Sequence, residues 1–137
     1  MTENQYNKYL KRRIDMARIT HFDMSGDQPE KLIPFYEKIF KWKFDKWNSP
    51  GMEYWMITTG PDDKPGINGG LGKRETDSSI VNTIEVDNID ETLKQIEKNG
   101  GKVLMQKVPI PEVGWWATFQ DPQQNVMSVM QPDPKAK

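Results

Sequence analysis

Displaced by 60 residues, the chain lies over itself: Asp27 falls on Asp87, Ile33 on Leu93, Tyr36 on Ile96, and Trp42 to Phe44 on Lys102 to Leu104. Each half spells the same order, a strand, a helix and three strands. In the first half Ile19-Thr20-His21-Phe22-Asp23-Met24 alternates as a strand does, and Ser25-Gly26-Asp27 with Pro29 and Glu30 marks a helix start. Leu32, Ile33, Phe35, Tyr36, Ile39 and Phe40 recur at helical spacing, which predicts a helix over 29–40. Strands are expected over 42–47, 53–59 and 67–72, divided by Ser49-Pro50-Gly51 and the Pro61 to Gly66 loop. The second half reads as a strand over 80–86, a helix over 89–98 stopped by Asn99-Gly100-Gly101, and strands over 102–108, 114–120 and 126–131.

Neither half can bury its sheet face alone. The expected fold class is therefore α+β: two βαβββ modules, about 18–74 and 79–131, forming one curved mixed sheet. Helix stripes would cover its outer face and the inner face would close around a central cavity. Residues 1–17 read as a polar arm in which Tyr6, Leu10, Ile14 and Ala17 keep a helical spacing, and 132–137 as a flexible tail.

Composition narrows the chemistry. With no cysteine, the 137 residues can form no disulfide, thiolate nucleophile, zinc finger or iron–sulfur cluster, and there is a single histidine. Twenty acidic residues against nineteen basic ones leave no field to recruit nucleic acid, and Lys8, Lys11, Arg12, Arg13 and Arg18 read as a solvated arm. No apolar run approaches the roughly 18 residues of a membrane helix, and no signal-peptide pattern opens the chain, so a cytoplasmic location away from membranes is expected. Five Trp, five Phe, four Tyr and eight Met supply the large side chains of a core.

Ile19-Thr20-His21-Phe22 followed by Phe35-Tyr36-Glu37-Lys38-Ile39-Phe40-Lys41-Trp42 resembles the opening of the vicinal-oxygen-chelate superfamily, which includes glyoxalase I, bleomycin-resistance proteins and extradiol dioxygenases. Val86-Asp87-Asn88-Ile89-Asp90, Asn99-Gly100-Gly101, Val113-Gly114-Trp115 and Asp121-Pro122-Gln123-Gln124-Asn125 resemble it in the same order. The resemblance implies paired βαβββ modules, a homodimer, and a small ligand held inside the sheet. It also implies a divalent metal on four side chains, two per module. His21 stands at the first-strand ligand position, but Val81 occupies its counterpart 60 residues on, Ser128 stands where a last-strand Glu is usual, and Ile67 to Gly72 offers no carboxylate. One ligand of four does not hold a catalytic metal, which needs about three protein ligands. No metal and no other cofactor is expected, the substitute set His21, Asp23 and Glu85 being the alternative.

His21 alternates away from Phe22 and Met24 and is expected to face the cavity, where imidazole suits ligand contact or proton transfer, with Glu85 as a partner. Trp55, Trp115, Trp116 and Ser128 complete the candidate ligand site beside His21 and Glu85. In each pair, Tyr54-Trp55 and Trp115-Trp116, one ring must point to either face of its strand. The competing assignment for these rings is core or dimer packing. Ser128, His21 and Asp23 lack the nucleophile-elbow sequence of a serine hydrolase. Gly66, Gly69, Gly70 and Gly72 form no phosphate loop, since no Lys-Ser ending and no helix follows them. The expected function is metal-independent binding of a small organic ligand. The alternatives are a lyase or isomerase of the lactoylglutathione-lyase type in which His21, with or without Glu85, moves a proton, and a non-catalytic interaction module.

Overall fold

The computed structural model describes residues 2–5, 17–48, 51–75 and 80–137. Tyr6, Leu10 and Ile14 of the arm, and Ser49 and Pro50 of the first expected turn, lie outside these residues. The fold is α+β, and each half contains the strand, helix and three strands that its patterning predicts. By contact density the chain divides into Thr20–Thr83 and a unit of Met1–Ile19 with Ile84–Lys137.

In the first unit β1 (Arg18–Gly26) leads through a 3-10 turn (Pro29–Lys31) into α1 (Leu32–Phe40). The expected helix over 29–40 is thus divided. Pro34 has no N–H to give the carbonyl of Glu30, so the α-helical ladder cannot run back through that turn. Lys41 ends α1 in the left-handed region at φ 64°, a C-cap with no glycine to announce it. Strands β2 (Lys43–Lys46), β3 (Tyr54–Thr58) and β4 (Asn68–Lys73) follow. They stand in the order β2-β3-β4-β1, antiparallel except for the parallel pair β4 and β1.

Met24, Trp55, Ile57 and Leu71 form the core under α1, with Phe22, Leu32, Ile33, Tyr36, Trp42 and Phe44 packed against it. Tyr36 stacks on Trp42 with ring centroids 5.1 Å apart and planes within 7°. Gly69 is required at this face, because a Cβ there would lie 2.7 Å from the Phe22 ring. The apolar stripe of α1 is only half used: Phe35, Ile39 and Phe40 are each more than half exposed.

The second unit takes the end of β5 (Ile80–Glu85), α2 (Ile89–Lys98), β6 (Lys102–Ile110), β7 (Gly114–Gln120) and β8 (Val126–Pro132). Strands β6, β7 and β8 are antiparallel neighbours, and Val86 N donates to Met130 O at 2.9 Å. Asn88 caps α2 by accepting from Glu91 N at 3.0 Å, and Gln131 Oε1 accepts from Ile89 N at 2.9 Å. Val86, Ile89, Leu93, Ala117, Phe119 and Val129 form the core beneath α2.

The Asp121 to Asn125 turn is a structural hairpin. Asp121 Oδ1 accepts from the backbone N–H of Gln123 and Asn125, and Oδ2 from Asn125 Nδ2, at 2.8–2.9 Å. The chain end, expected as a flexible tail, is tied down: Asp133 N donates to Val113 O, Glu112 N to Ala136 O, and Ala136 is buried. Among the described residues no helix is long and apolar enough to cross a membrane.

Candidate functional site

Strand alternation divides the Thr20–Thr83 unit into two faces. Phe22, Met24, Trp55, Ile57 and Leu71 take the face under α1, which leaves His21, Asp23, Tyr54, Met56, Asn68 and Gly70 on the other. Asp23 lies beside Gly70 and Tyr54 beside Gly72 in register, so β4 separates the two side chains in sequence order across the sheet. The Tyr54 ring crosses β4 above Gly70. A Cβ at position 70 would stand 1.6 Å from the Tyr54 hydroxyl, so only glycine admits the crossing.

At the far side Tyr54 OH donates to Asp23 Oδ1 at 2.5 Å. His21 Nε2 lies 3.1 Å from the same hydroxyl and 3.3 Å from Asp23 Oδ1. Burial, then the charge of Asp23, then the hydrogen bond to it raise the Tyr54 phenol far above its ordinary value, so it stays protonated. His21 and Asp23 keep about 30% of their side-chain surface (28% and 32%), enough for a ligand to reach them. The neighbouring Asn68 amide oxygen is engaged by Thr59, accepting from its backbone N–H at 2.9 Å.

The other expected site residues are distributed as follows. Trp55 is buried under α1 and turns away from His21, while its neighbour Tyr54 takes the His21 face. Trp115 packs with Ala117 and Phe119 toward α2, donates from Nε1 to Asp133 Oδ2 at 3.0 Å, and carries Lys107 Nζ 4.8 Å from its ring centre. Trp116 takes the opposite face of β7, where Thr118 pairs with Ser128 and Trp116 with Met130. Ser128 is fully buried, and its Oγ has no hydrogen-bond partner among the described residues. Glu85 is exposed, on the side of β5 opposite Ile84 and Val86, which pack beneath α2.

Sequence reasoning passed over Tyr54 as a polar site residue and Gly70 as its enabling neighbour. The signal present was the alternation Tyr54, Met56 against Trp55, Ile57, with an adjacent glycine pair on a strand.

The metal implied by the superfamily resemblance does not fit these residues. His21 supplies one ring nitrogen, Val81 has no donor atom, and Ser128 offers a neutral, fully buried hydroxyl. Among the described residues no three or more His, Cys, Asp or Glu side chains come together to hold an ion.

Residues 18–129 match the family model of the glyoxalase/bleomycin resistance protein/dioxygenase superfamily. The chain belongs to this superfamily. No curated protein matches it in sequence. Solved structures share its fold at low identity. A hypothetical protein from Bacillus halodurans C-125 is 16% identical with a TM-score of 0.64, the alignment covering 88% of this chain and 98% of that one. Methylmalonyl-CoA epimerase from Mycobacterium tuberculosis is 8% identical with a TM-score of 0.62, over 85% and 88% of the two chains. A glyoxalase/bleomycin resistance protein/dioxygenase superfamily member from Vibrio splendidus 12B01 is 13% identical with a TM-score of 0.59, over 85% and 99%.

Proposed function

We propose that this superfamily member binds a small organic ligand on the strand face bearing His21, Asp23 and Tyr54, without the divalent metal of glyoxalase-type relatives. The observation that carries the reading is the hydrogen-bonded cluster itself: three polar side chains from two strands, pre-arranged by a glycine, with His21 and Asp23 still reachable from solvent. Pre-organised polar groups of this kind orient a ligand at little entropic cost. In the other unit Trp116 and Glu85 offer separate candidate contacts, whereas Trp55, Trp115 and the fully buried Ser128 serve packing.

A thermal-shift screen of small organic molecules tests the reading. Binding to the native state stabilises it by mass action, about 2.7 kcal/mol at a hundredfold excess over Kd. A ligand should raise Tm in the wild type and lose its effect in His21→Ala. A wide panel that leaves Tm unmoved, or a shift that survives His21→Ala, overturns the reading.

Catalysis by a lyase or isomerase is the second reading, favoured by Asp23 standing beside the His21 ring as an orienting carboxylate does beside a general base. Such a base contributes about 10²–10⁴-fold to a proton transfer next to a carbonyl. Here His21→Ala abolishes turnover with the fold intact, and retained turnover excludes this reading. The protein is further proposed to act in the cytoplasm as a homodimer, which the exposed Phe35, Ile39 and Phe40 of α1 support.

A further inference from the structure

We infer that Asp23 and Tyr54 are positioning residues that keep the His21 proton on Nε2, so that Nδ1 offers a bare lone pair to the ligand, and that the ligand group recognised is a cationic nitrogen donor, an ammonium or amidinium. The tautomer follows from counting protons. A tyrosine hydroxyl carries one, and Tyr54 gives it to Asp23 Oδ1 at 2.5 Å. Burial and the Asp23 charge keep that phenol protonated. The carboxylate can only accept. Both atoms facing Nε2, at 3.1 and 3.3 Å, therefore present lone pairs. A third lone pair on Nε2 would leave these three atoms with no proton between ring and partners, so Nε2 bears the hydrogen and donates to both oxygens. In neutral imidazole Nδ1 is then the acceptor.

The ligand class follows from what the face displays, and this half rests on the ligand-binding reading above. Among the described residues of β1 to β4 on this face, Lys43 lies 3.7 Å from Asp45 as an ion pair, which leaves Asp23 as the unbalanced charge. Tyr54 has spent its proton, Asn68 has its oxygen taken by Thr59 and keeps only its Nδ2 hydrogens as donors, and Met56 and Gly70 are apolar. A carboxylate or phosphate arriving at His21 and Asp23 meets a like charge and a lone pair, with the Asn68 amide, in register with His21, as the donor beside them. An N–H cation meets two acceptors, and charge-assisted hydrogen bonds are the stronger kind.

The single histidine makes the test direct, because one labelled imidazole gives one pair of nitrogen resonances. Long-range proton–nitrogen correlation spectra of ¹⁵N-histidine protein, taken where the ring is neutral, should show a protonated Nε2 and a bare Nδ1. Asp23→Asn frees the Tyr54 proton and puts an amide donor beside Nε2, so the two resonances should converge. A bare Nε2 in the wild type overturns the proposal even if Asp23→Asn does not fold, and so does a spectrum that a folded Asp23→Asn leaves unchanged.

Titration with benzamidine and with benzoate, matched in ring and opposite in charge, reads the ligand class. Benzamidine should move the Nδ1 resonance and benzoate should not. A shift with benzoate, or silence from both, overturns the cationic assignment. The tautomer spectrum needs no ligand, and a thermal-shift ligand of another class would leave the binding reading standing, so the two failures are separable.

Discussion

Tyr54 reaches Asp23 by passing over a residue that has no side chain. The hydroxyl donates to Asp23 Oδ1 at 2.5 Å, and Gly70 lies beneath the phenol ring on the strand between them. The polar cluster on this face is thus as dependent on an absent Cβ as on its own three side chains.

Gly70→Ala should expel the Tyr54 ring and cost about 1–3 kcal/mol, the usual range for overpacking. Tyr54→Ala removes the clashing ring, so in the double variant the alanine at 70 should cost much less than in the wild-type background. Urea unfolding of the four proteins gives the coupling energy, and strict additivity would refute the contact.

Tyr54 should be absent from the alkaline titration of the native protein. Its folded-state pKa is raised above the ordinary 10.0, so its contribution to stability is complete below about pH 10 and is lost as pH rises further, when the unfolded chain can ionise and the native one cannot. Absorbance of phenolate measured before unfolding should have the same amplitude in the wild type and in Tyr54→Phe. A smaller amplitude in Tyr54→Phe would mean that the native phenol ionises.

Ser128→Ala should raise stability by about 1 kcal/mol, since it removes a fully buried hydroxyl that has no partner among the described residues. Ser128→Val adds volume against Thr118 and should not reproduce the gain. Thermal unfolding of both variants, with and without a ligand found by screening, separates a stability cost from a binding contribution.

Asp121 is held below its ordinary pKa of 3.8, chiefly by the Asn125 amide and then by the Asn125 backbone N–H. Its folded value is depressed, so it stabilises the native state above about pH 4 and the contribution fades as pH falls through the folded value. Asp121→Asn should lower Tm at pH 7 and by less at pH 3. An equal deficit at both values would show that turn geometry, and not charge, makes the difference.

Light scattering should return twice the 15.9 kDa of one chain. Replacing Phe35, Ile39 and Phe40 by Ser together should reduce it to one chain with helix content retained. A wild-type mass of a single chain refutes the dimer.

The order of elements was legible because each signal is local. Period-two and helical patterns name an element from its own residues, and α2 and β7 begin and end where Asn88, Asn99 and Gly114 announce them. That positions 81 and 128 hold Val and Ser, and no His or carboxylate, was equally plain, since it is a matter of residue identity. The division of the expected 29–40 helix before Leu32, which Pro34 imposes, was legible in principle as a missing N–H, but was masked by the apolar stripe around it.

The facing of the aromatic pairs was decided only by the folded chain. Alternation states that Tyr54 and Trp55 point apart, but not which of them meets α1, because that depends on the register of β3 against β4 and of β4 against β1. Asp23 and Tyr54 are 31 positions apart and join only because β4 inserts between their strands and carries glycine at the crossing. Residue types and periods belong to the chain itself; a hydrogen bond across three strands belongs to a register that long-range packing selects.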